Sequence, residues 1–248
     1  MMEMLVTSQF WIDVLKIIMI DLLLSGDNAV VIALACRNLP AEQRKKGILF
    51  GVGGAIGLRI ALTFFAVSLL ALPYLKLIGA LLLLWIGIKL ILPEDEHSED
   101  NIKADTRLFG AVKTIIIADL VMSLDNVLGV AAAAKGNVPL LVFGLLISIP
   151  LIAWSSQLVL KLIDRFPYII YAGGALLGYV AGEMLVSEAL FAPLVEGQHY
   201  LHWFVPVCGA VLVLSMGKWL SVRKVVESVA VNLVDEAVNA KPDNQEKK

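Results

Sequence analysis

The stretch IMIDLLLSGDNAVVIALA, from Ile18 to Ala35, is apolar enough to cross a bilayer, yet it carries two carboxylates and an amide. The carboxylates are Asp21 and Asp27, and the amide is Asn28. A charged residue at the centre of a membrane helix costs about 2.5–3.5 kcal/mol on the insertion scale. A cation, protons or an internal base must offset that cost, so the stretch predicts a functional site inside a membrane.

The same pattern returns in IIIADLVMSLDNVLGVAAAA, from Ile115 to Ala134. Matched positions in the two copies are Asp21 and Asp119, Ser25 and Ser123, Asp27 and Asp125, and Asn28 and Asn126. Further along, PYLKLIGALLLLWIG (Pro73 to Gly87) parallels PYIIYAGGALLGYVA (Pro167 to Ala181). The chain therefore contains an internal repeat, and each copy has one acidic motif.

The composition is that of an integral membrane protein. Hydrophobic residues make up 59% of the chain and charged residues 17%, against about 25% charged in an ordinary soluble domain. The formal net charge is −2 and no large basic face is present, so nucleic-acid binding is not expected. Cys36 and Cys208 have no CxxC spacing, which argues against a disulfide framework.

A bilayer-spanning helix needs about 20 mostly apolar residues, and the sequence has seven such segments. They are Trp11–Cys36, Gly47–Leu70, Tyr74–Leu92, Phe109–Ala134, Pro139–Ile163, Tyr168–Ser187 and Trp203–Leu220. The predicted fold is an all-α polytopic membrane protein with two three-helix repeats and one additional helix. The repeats cover 10–92 and 109–187, with a polar connection at 93–108, the seventh helix at 203–220, an amphipathic tail helix at 221–240 and a disordered tail at 241–248.

Basic residues predict the orientation of the chain. Arg37, Arg44, Lys45 and Lys46 follow the first span, and Arg223 and Lys224 follow the seventh, whereas the opposite side has mainly Lys76 and Lys135. By the positive-inside rule the N-terminus lies outside and the C-terminus inside. Because each repeat has three spans, the second copy must enter from the opposite side. Inverted repeats of this kind are typical of secondary transporters, whose sites lie near the bilayer midplane.

The twin motif is suited to a divalent cation. The candidate ligands are Asp21, Asp27, Asn28, Asp119, Asp125 and Asn126, with Ser25 and Ser123 as second choices. A helix break at Ser25–Gly26 would turn Asp27 inward and free backbone carbonyls. Oxygen ligands suit Mg²⁺, Ca²⁺ and Mn²⁺ alike, and either one ion or two fits the pattern. Arg59, near the middle of the second span, is the predicted counter-charge, and the excess of carboxylates allows a proton-for-metal exchange.

Other polar residues have simpler interpretations. Lys89 and Glu183 occupy equivalent positions near helix ends, where interface anchoring is expected. His97, His199 and His202 lie in connections or close to them, and solvated histidines are expected there. The glycine run from Gly51 to Gly57 predicts close helix packing.

Both motif copies, DLLLSGDNAVVIALACRNLP and ADLVMSLDNVLGVAAAAKGN, resemble those of the TerC family, in particular its bacterial YjbE-type members. The resemblance covers roughly Phe10 to Leu220. It implies a relationship to LysE-like exporters, a bacterial plasma-membrane location, efflux of manganese and, in some members, tellurite resistance, a pH response or metal supply to secreted enzymes. It also implies that the six motif Asp and Asn residues hold the metal.

The leading functional interpretation is therefore an exporter of divalent metal, most simply Mn²⁺. The alternative is a membrane sensor or scaffold that does not transport. Catalysis is not expected, because the twin motif has no nucleophile–base pair. The expected partners are membrane lipid and the cation, with a homo-oligomer or the secretion machinery left open.

Overall fold

A computed structural model describes residues 8–24, 26–70, 72, 74–93, 103–134, 137–195 and 197–239. Every long element in these ranges is an α-helix. The helices are α1 (Ser8–Leu24), α2 (Gly26–Cys36), α3 (Ala41–Leu70), α4 (Leu75–Ile91), α5 (Lys103–Ala134), α6 (Val138–Arg165), α7 (Tyr168–Val186), α8 (Ala192–Val195) and α9 (Leu201–Asn239), with a 3₁₀ turn at Ala189–Phe191.

The all-helical architecture is confirmed, whereas the seven-span layout is not. Among the described residues, four helices are long and apolar enough to cross a membrane: Ala41–Phe65, Val138–Arg165, Tyr168–Val186 and Leu201–Lys224. A fifth span results if the pair Phe10–Asp21 and Gly26–Cys36 counts as one broken span, bent by 54°. Helix α4 has 17 residues and is about 26 Å long, which is shorter than the roughly 30 Å of a hydrocarbon core.

The first motif is interrupted and the second is not. Helix α1 ends at Leu24 and α2 begins at Gly26, and the segments Phe10–Asp21 and Gly26–Cys36 are bent by 54°. Ser25, part of the predicted break, lies outside the described residues. Helix α5 runs through Ser123 and Asp125 without a break. Gly at the start of α2 explains the difference, since Gly resists helix propagation and Leu124, its counterpart, favours it.

The two largest clusters of buried side chains in the described residues join most of the long helices. Ile17, Ile32, Val52, Ile115 and Leu145 belong to a cluster that joins α1, α2, α3, α5 and α6. A second cluster joins α2, α4, α5 and α7. Lipid tails are as apolar as these side chains, so the association depends on close packing and on polar contacts between helices rather than on water exclusion.

The C-terminal helix is longer than a single span. Helix α9 has 39 residues, about 58 Å at 1.5 Å per residue. It therefore continues without a break from the segment predicted as the seventh span through the segment predicted as a tail helix. Of the polar connection, Lys103–Arg107 forms the start of α5, whereas 94–102 and the tail at 240–248 lie outside the described residues.

Candidate functional site

Arg59 lies at the centre of a buried polar cluster. Its side chain is 1% exposed and projects from the middle of α3. The guanidinium forms ion pairs with Asp21 of α1 and with Asp119 of α5, the latter at 2.5 Å from Nη2 to Oδ1. Its Nε donates to Ser123 Oγ at 3.0 Å. The planar guanidinium has five donors in a fixed geometry and can therefore serve two carboxylates and a hydroxyl together.

Asp119 connects the two motif copies. Its Oδ1 accepts a hydrogen bond from Asn28 Nδ2 at 2.8 Å, and its Oδ2 accepts one from Ser123 Oγ at 3.0 Å. Asn28 belongs to the first copy, whereas Asp119 and Ser123 belong to the second. All of these residues are buried, so residues of both repeats meet inside the helix bundle.

Asn28 also has an unused acceptor. Its Oδ1 is buried and has no hydrogen-bond partner in the described part of the chain. An unpaired buried carbonyl oxygen costs about 1–3 kcal/mol. The same oxygen is a suitable ligand for a hard cation, and it belongs to the amide that contacts Asp119.

A polar cavity lies beside the cluster. It has a volume of about 550 Å³, and its lining includes Asp27, Asn126, Glu183, Ser187 and His202. The lining also includes Val121 and Met122, which are close in sequence to the buried Asp119 and Ser123. The Asp27 carboxylate accepts a hydrogen bond from the backbone N–H of Asn28 at 2.9 Å, in the first turn of α2. Two lining residues, Asp27 and Met122, are thus next in sequence to Asn28 and Ser123 of the cluster.

The predicted ligands fall into two groups. Asp21, Asn28 and Asp119, with Ser123, surround Arg59, whereas Asp27 and Asn126 line the cavity. Ser25 and the side chain of Asp125 lie outside the described residues. Within the described ranges, His, Cys, Asp and Glu side chains do not form a group of three or more that could hold a metal ion. The described carboxylates among the predicted ligands, Asp21, Asp27 and Asp119, thus do not form a single metal-binding group in this conformation.

Glu183 and His202 are cavity residues that the sequence prediction assigned to other roles. Glu183 lines the same cavity as Asp27 and therefore is not only an interface anchor, and His202 lines that cavity as well. One signal for Glu183 is present in the sequence: it is the one charged residue in Tyr168–Val186. For His202 the sequence has no comparable signal, because its position depends on how α9 packs against α7.

The family model "Integral membrane protein TerC family" matches residues 6–225 of the chain. The chain belongs to the TerC family. It is 45% identical over 179 residues to the uncharacterized membrane protein YjbE of Bacillus subtilis, an alignment that spans 72% of this chain and 81% of the relative. It is 31% identical over 193 residues to YceF of the same organism, covering 75% of each chain.

More distant TerC relatives include the inner membrane protein YgdQ of Escherichia coli K12, which is 23% identical over 213 residues, or 79% of this chain and 89% of the relative. No solved structure matches the chain. The family and its bacterial membrane relatives confirm the predicted multi-pass location in a bacterial inner membrane. In this TerC protein both acidic motifs contribute to one buried cluster beside one cavity, an arrangement that can attract, bind and release a small cation.

Proposed function

We propose that this TerC protein exports a divalent cation from the cytoplasm by alternating access, with Mn²⁺ as the first candidate. The observation that carries the proposal is the meeting of both motif copies around Arg59, beside an acidic cavity. The choice of manganese rests on the family resemblance, because oxygen ligands suit Mg²⁺ and Ca²⁺ as well.

Charge balance explains how the buried carboxylates can be stable both without and with a bound cation. A buried carboxylate is stable only when it is paired, and Arg59 provides one positive charge between Asp21 and Asp119. A divalent ion would supply the same stabilisation more strongly. We infer that cation binding displaces the guanidinium from at least one carboxylate, so that Arg59 occupies the site in the empty transporter.

The cavity supplies the path to and from the cluster. Asp27 and Glu183 give it two carboxylates, and Asn126 gives it an amide. All are oxygen ligands of the kind that hard cations prefer. From there the ion would reach the unpaired Oδ1 of Asn28 and then Asp119. Since Asp27 and Asn28 are adjacent in the first turn of α2, one small rotation of that turn would move both ligands.

Proton exchange follows from the same charges. When the cation leaves, the carboxylates that it neutralised must find another partner, and protons are available to them. We propose that protons enter as the metal leaves. Measuring the internal pH of sealed vesicles during metal transport would test this step. Metal transport without proton movement would exclude it.

We propose transport rather than catalysis. Ser123 and Asp119 are hydrogen-bonded to each other, as a nucleophile and a base would be. Both residues also contact Arg59, and Ser123 is 0% exposed. A hydroxyl buried in that way cannot reach a substrate.

The decisive experiment is manganese uptake into inverted membrane vesicles. Native protein is compared with Asp27→Asn, with Asp125→Asn and with Asp105→Asn, a control that removes an exposed carboxylate at the start of α5. We expect both motif variants to lose uptake and the control to keep it. Normal uptake in both motif variants would exclude a paired transport site and would favour a metal sensor or scaffold.

A further inference from the structure

A second cavity, of about 240 Å³, lies at the other group of helix ends and is lined by basic side chains. Four cations from four parts of the chain line it: Arg37, Lys89, Arg107 and Lys224. Asn38 and Thr114 add polar groups, and no described lining residue is acidic. We call this cavity the basic pocket. It shares no lining residue with the acidic cavity, so the two cavities are separate.

The fold brings these cations together from distant positions in the sequence. Arg37 follows the end of α2, Lys89 lies in the last turn of α4, Arg107 in the first turns of α5, and Lys224 in α9. Arg37 donates from Nη2 to the carbonyl of Leu92 at 3.0 Å, which ties the end of α2 to the end of α4. Like charges repel, so four basic residues in the lining of one cavity indicate a place for an anion.

A topogenic role alone does not explain the arrangement. The positive-inside rule requires basic residues near the ends of spans, but it does not require them to line one cavity. Lys113 and Lys161 are exposed and do not line the basic pocket. Arg37, Arg107 and Lys224 also interact with other groups of the chain, so an anion would share these cations with contacts that already position them.

The chemistry of the lining selects a phosphate group. Arg binds phosphate through paired N–H donors and Lys binds it as a point charge, and both kinds are present. The apolar part of the lining, which includes Leu34, Leu90 and Leu92, suits the glycerol and upper acyl region of a lipid. Basic pockets between membrane helices on the cytoplasmic side are suited to anionic lipid headgroups. The same positive-inside rule predicts this end of the bundle to be cytoplasmic.

We propose that the basic pocket binds a phosphate group, supplied by an anionic phospholipid of the inner leaflet or by soluble phosphate. The test measures thermal unfolding of the full-length protein in neutral detergent. Phosphatidylglycerol, phosphatidylcholine and inorganic phosphate are titrated separately, the last against chloride at equal ionic strength. A ligand that binds the folded state raises the unfolding temperature.

The test variant is Lys89→Gln with Lys224→Gln, and the matched control is Lys113→Gln with Lys161→Gln. Both pairs remove two positive charges from the same end of the helix bundle. We expect phosphatidylglycerol to stabilise the native and control proteins, and the test variant to bind it about thirtyfold more weakly, at about 5.5-fold per lysine. Equal unfolding temperatures without ligand would show that the test variant is folded.

The titrations also distinguish the source of the phosphate. Stabilisation by phosphatidylglycerol and not by inorganic phosphate identifies a lipid site. Stabilisation by inorganic phosphate, lost in the test variant, identifies a soluble ligand. Identical titration curves for the native protein and the test variant, or stabilisation by neither phosphate source, would overturn the proposal.

Discussion

At the scale of single residues, Arg59 determines whether the interior of the bundle is stable. Its guanidinium is shared between Asp21 and Asp119, and both carboxylates are buried. Breaking a buried ion pair by removing one partner costs about 3–5 kcal/mol, since it leaves an unpaired buried charge. The arginine is therefore a structural requirement of the buried cluster.

We predict that Arg59→Leu destabilises the protein by about 3–5 kcal/mol, seen as a lower unfolding temperature and a lower yield in membranes. Adding Asp21→Asn and Asp119→Asn to Arg59→Leu should recover most of the stability, because no charge then remains unpaired. Single Arg59→Leu protein as stable as the native one would contradict the ion-pair assignment.

Glu183 leads to a second prediction at this scale. It faces the same cavity as Asp27, so Glu183→Gln should raise the manganese concentration for half-maximal transport by about tenfold, equivalent to about 1.4 kcal/mol. Glu42→Gln, at an exposed acid in the first turn of α3, is the control and should change nothing. An unchanged half-maximal concentration in Glu183→Gln would remove Glu183 from the cation path.

The sequence predicts some of these residues better than others. Asp21, Asp119 and Arg59 are visible because a charge in an apolar segment has few explanations. Glu183 is harder to predict, because an acid near a helix end is usually an interface anchor, and only packing of α7 beside α2 and α5 places it in the cavity. The sequence does not predict which carboxylates Arg59 contacts: the ion pairs are with Asp21 and Asp119, and Asp27 lines the cavity.

At the scale of elements, glycine controls how closely two helices approach. Gly178 and Gly182 of α7 lie against the backbone of α9, at Gly209 and Pro206. A side chain at Gly178 would meet backbone atoms of Gly209, which cannot move aside without separating the helices. The GxxxG spacing of Gly178 and Gly182 is typical of this close packing.

The glycine run singled out in the sequence behaves differently. Gly51 and Gly54 lie against the side chains of Ile115 and Ile116 of α5, whereas Gly53 and Gly57 have open space. Half of the run therefore packs against a neighbouring helix, as predicted. Composition alone cannot identify the tighter α7–α9 contact, because that requires knowing which helix faces which.

We predict that Gly178→Val destabilises the protein by about 1–3 kcal/mol, the usual cost of overpacking a tight contact. Gly53→Ala is the matched control: a methyl group there meets nothing within 4 Å, and Ala favours a helix over Gly by about 1 kcal/mol. Thermal unfolding in detergent should thus show opposite shifts for the two variants. A loss of stability in Gly53→Ala equal to that in Gly178→Val would contradict the packing argument.

At the scale of the whole molecule, the packing of helices follows the internal repeat. With α1 and α2 as one unit, that unit packs on α6, and α3 packs on α5. In the two repeats, the α1–α2 unit corresponds to α5, α3 corresponds to α6, and α4 corresponds to α7. Exchanging the repeats therefore converts the contact of the α1–α2 unit with α6 into the contact of α5 with α3, and it leaves the α4–α7 contact unchanged. A two-fold relation between the repeats would produce this set of contacts. The inverted orientation itself stays a prediction, and the two cavities at different helix ends provide a way to test it.

Ser187 and Asp164 are suited to that test, because both residues are exposed. Ser187 follows the end of α7, and Asp164 lies in the last turn of α6. Ser187 lines the acidic cavity, which the positive-inside rule predicts to be extracytoplasmic, whereas Asp164 lies near the cytoplasmic end of α6. The background variant is Cys208→Ser, which removes the exposed native cysteine and leaves only the buried Cys36. In this background we predict that a membrane-impermeant maleimide labels Ser187→Cys in intact cells. It should label Asp164→Cys only after permeabilisation.

Alternating access adds a further expectation to the same experiment. If manganese shifts the protein toward a state that is open to the cytoplasm, it must lower the exposure of the acidic cavity, because one site cannot face both sides at once. Labelling of Ser187→Cys should then slow with manganese, and adding Asp27→Asn should abolish the slowing while leaving the metal-free rate unchanged. Labelling of Ser187→Cys only after permeabilisation would show that the orientation is the reverse of the predicted one. A Ser187→Cys labelling rate that does not change with manganese would show that the cavity is not part of the transport path.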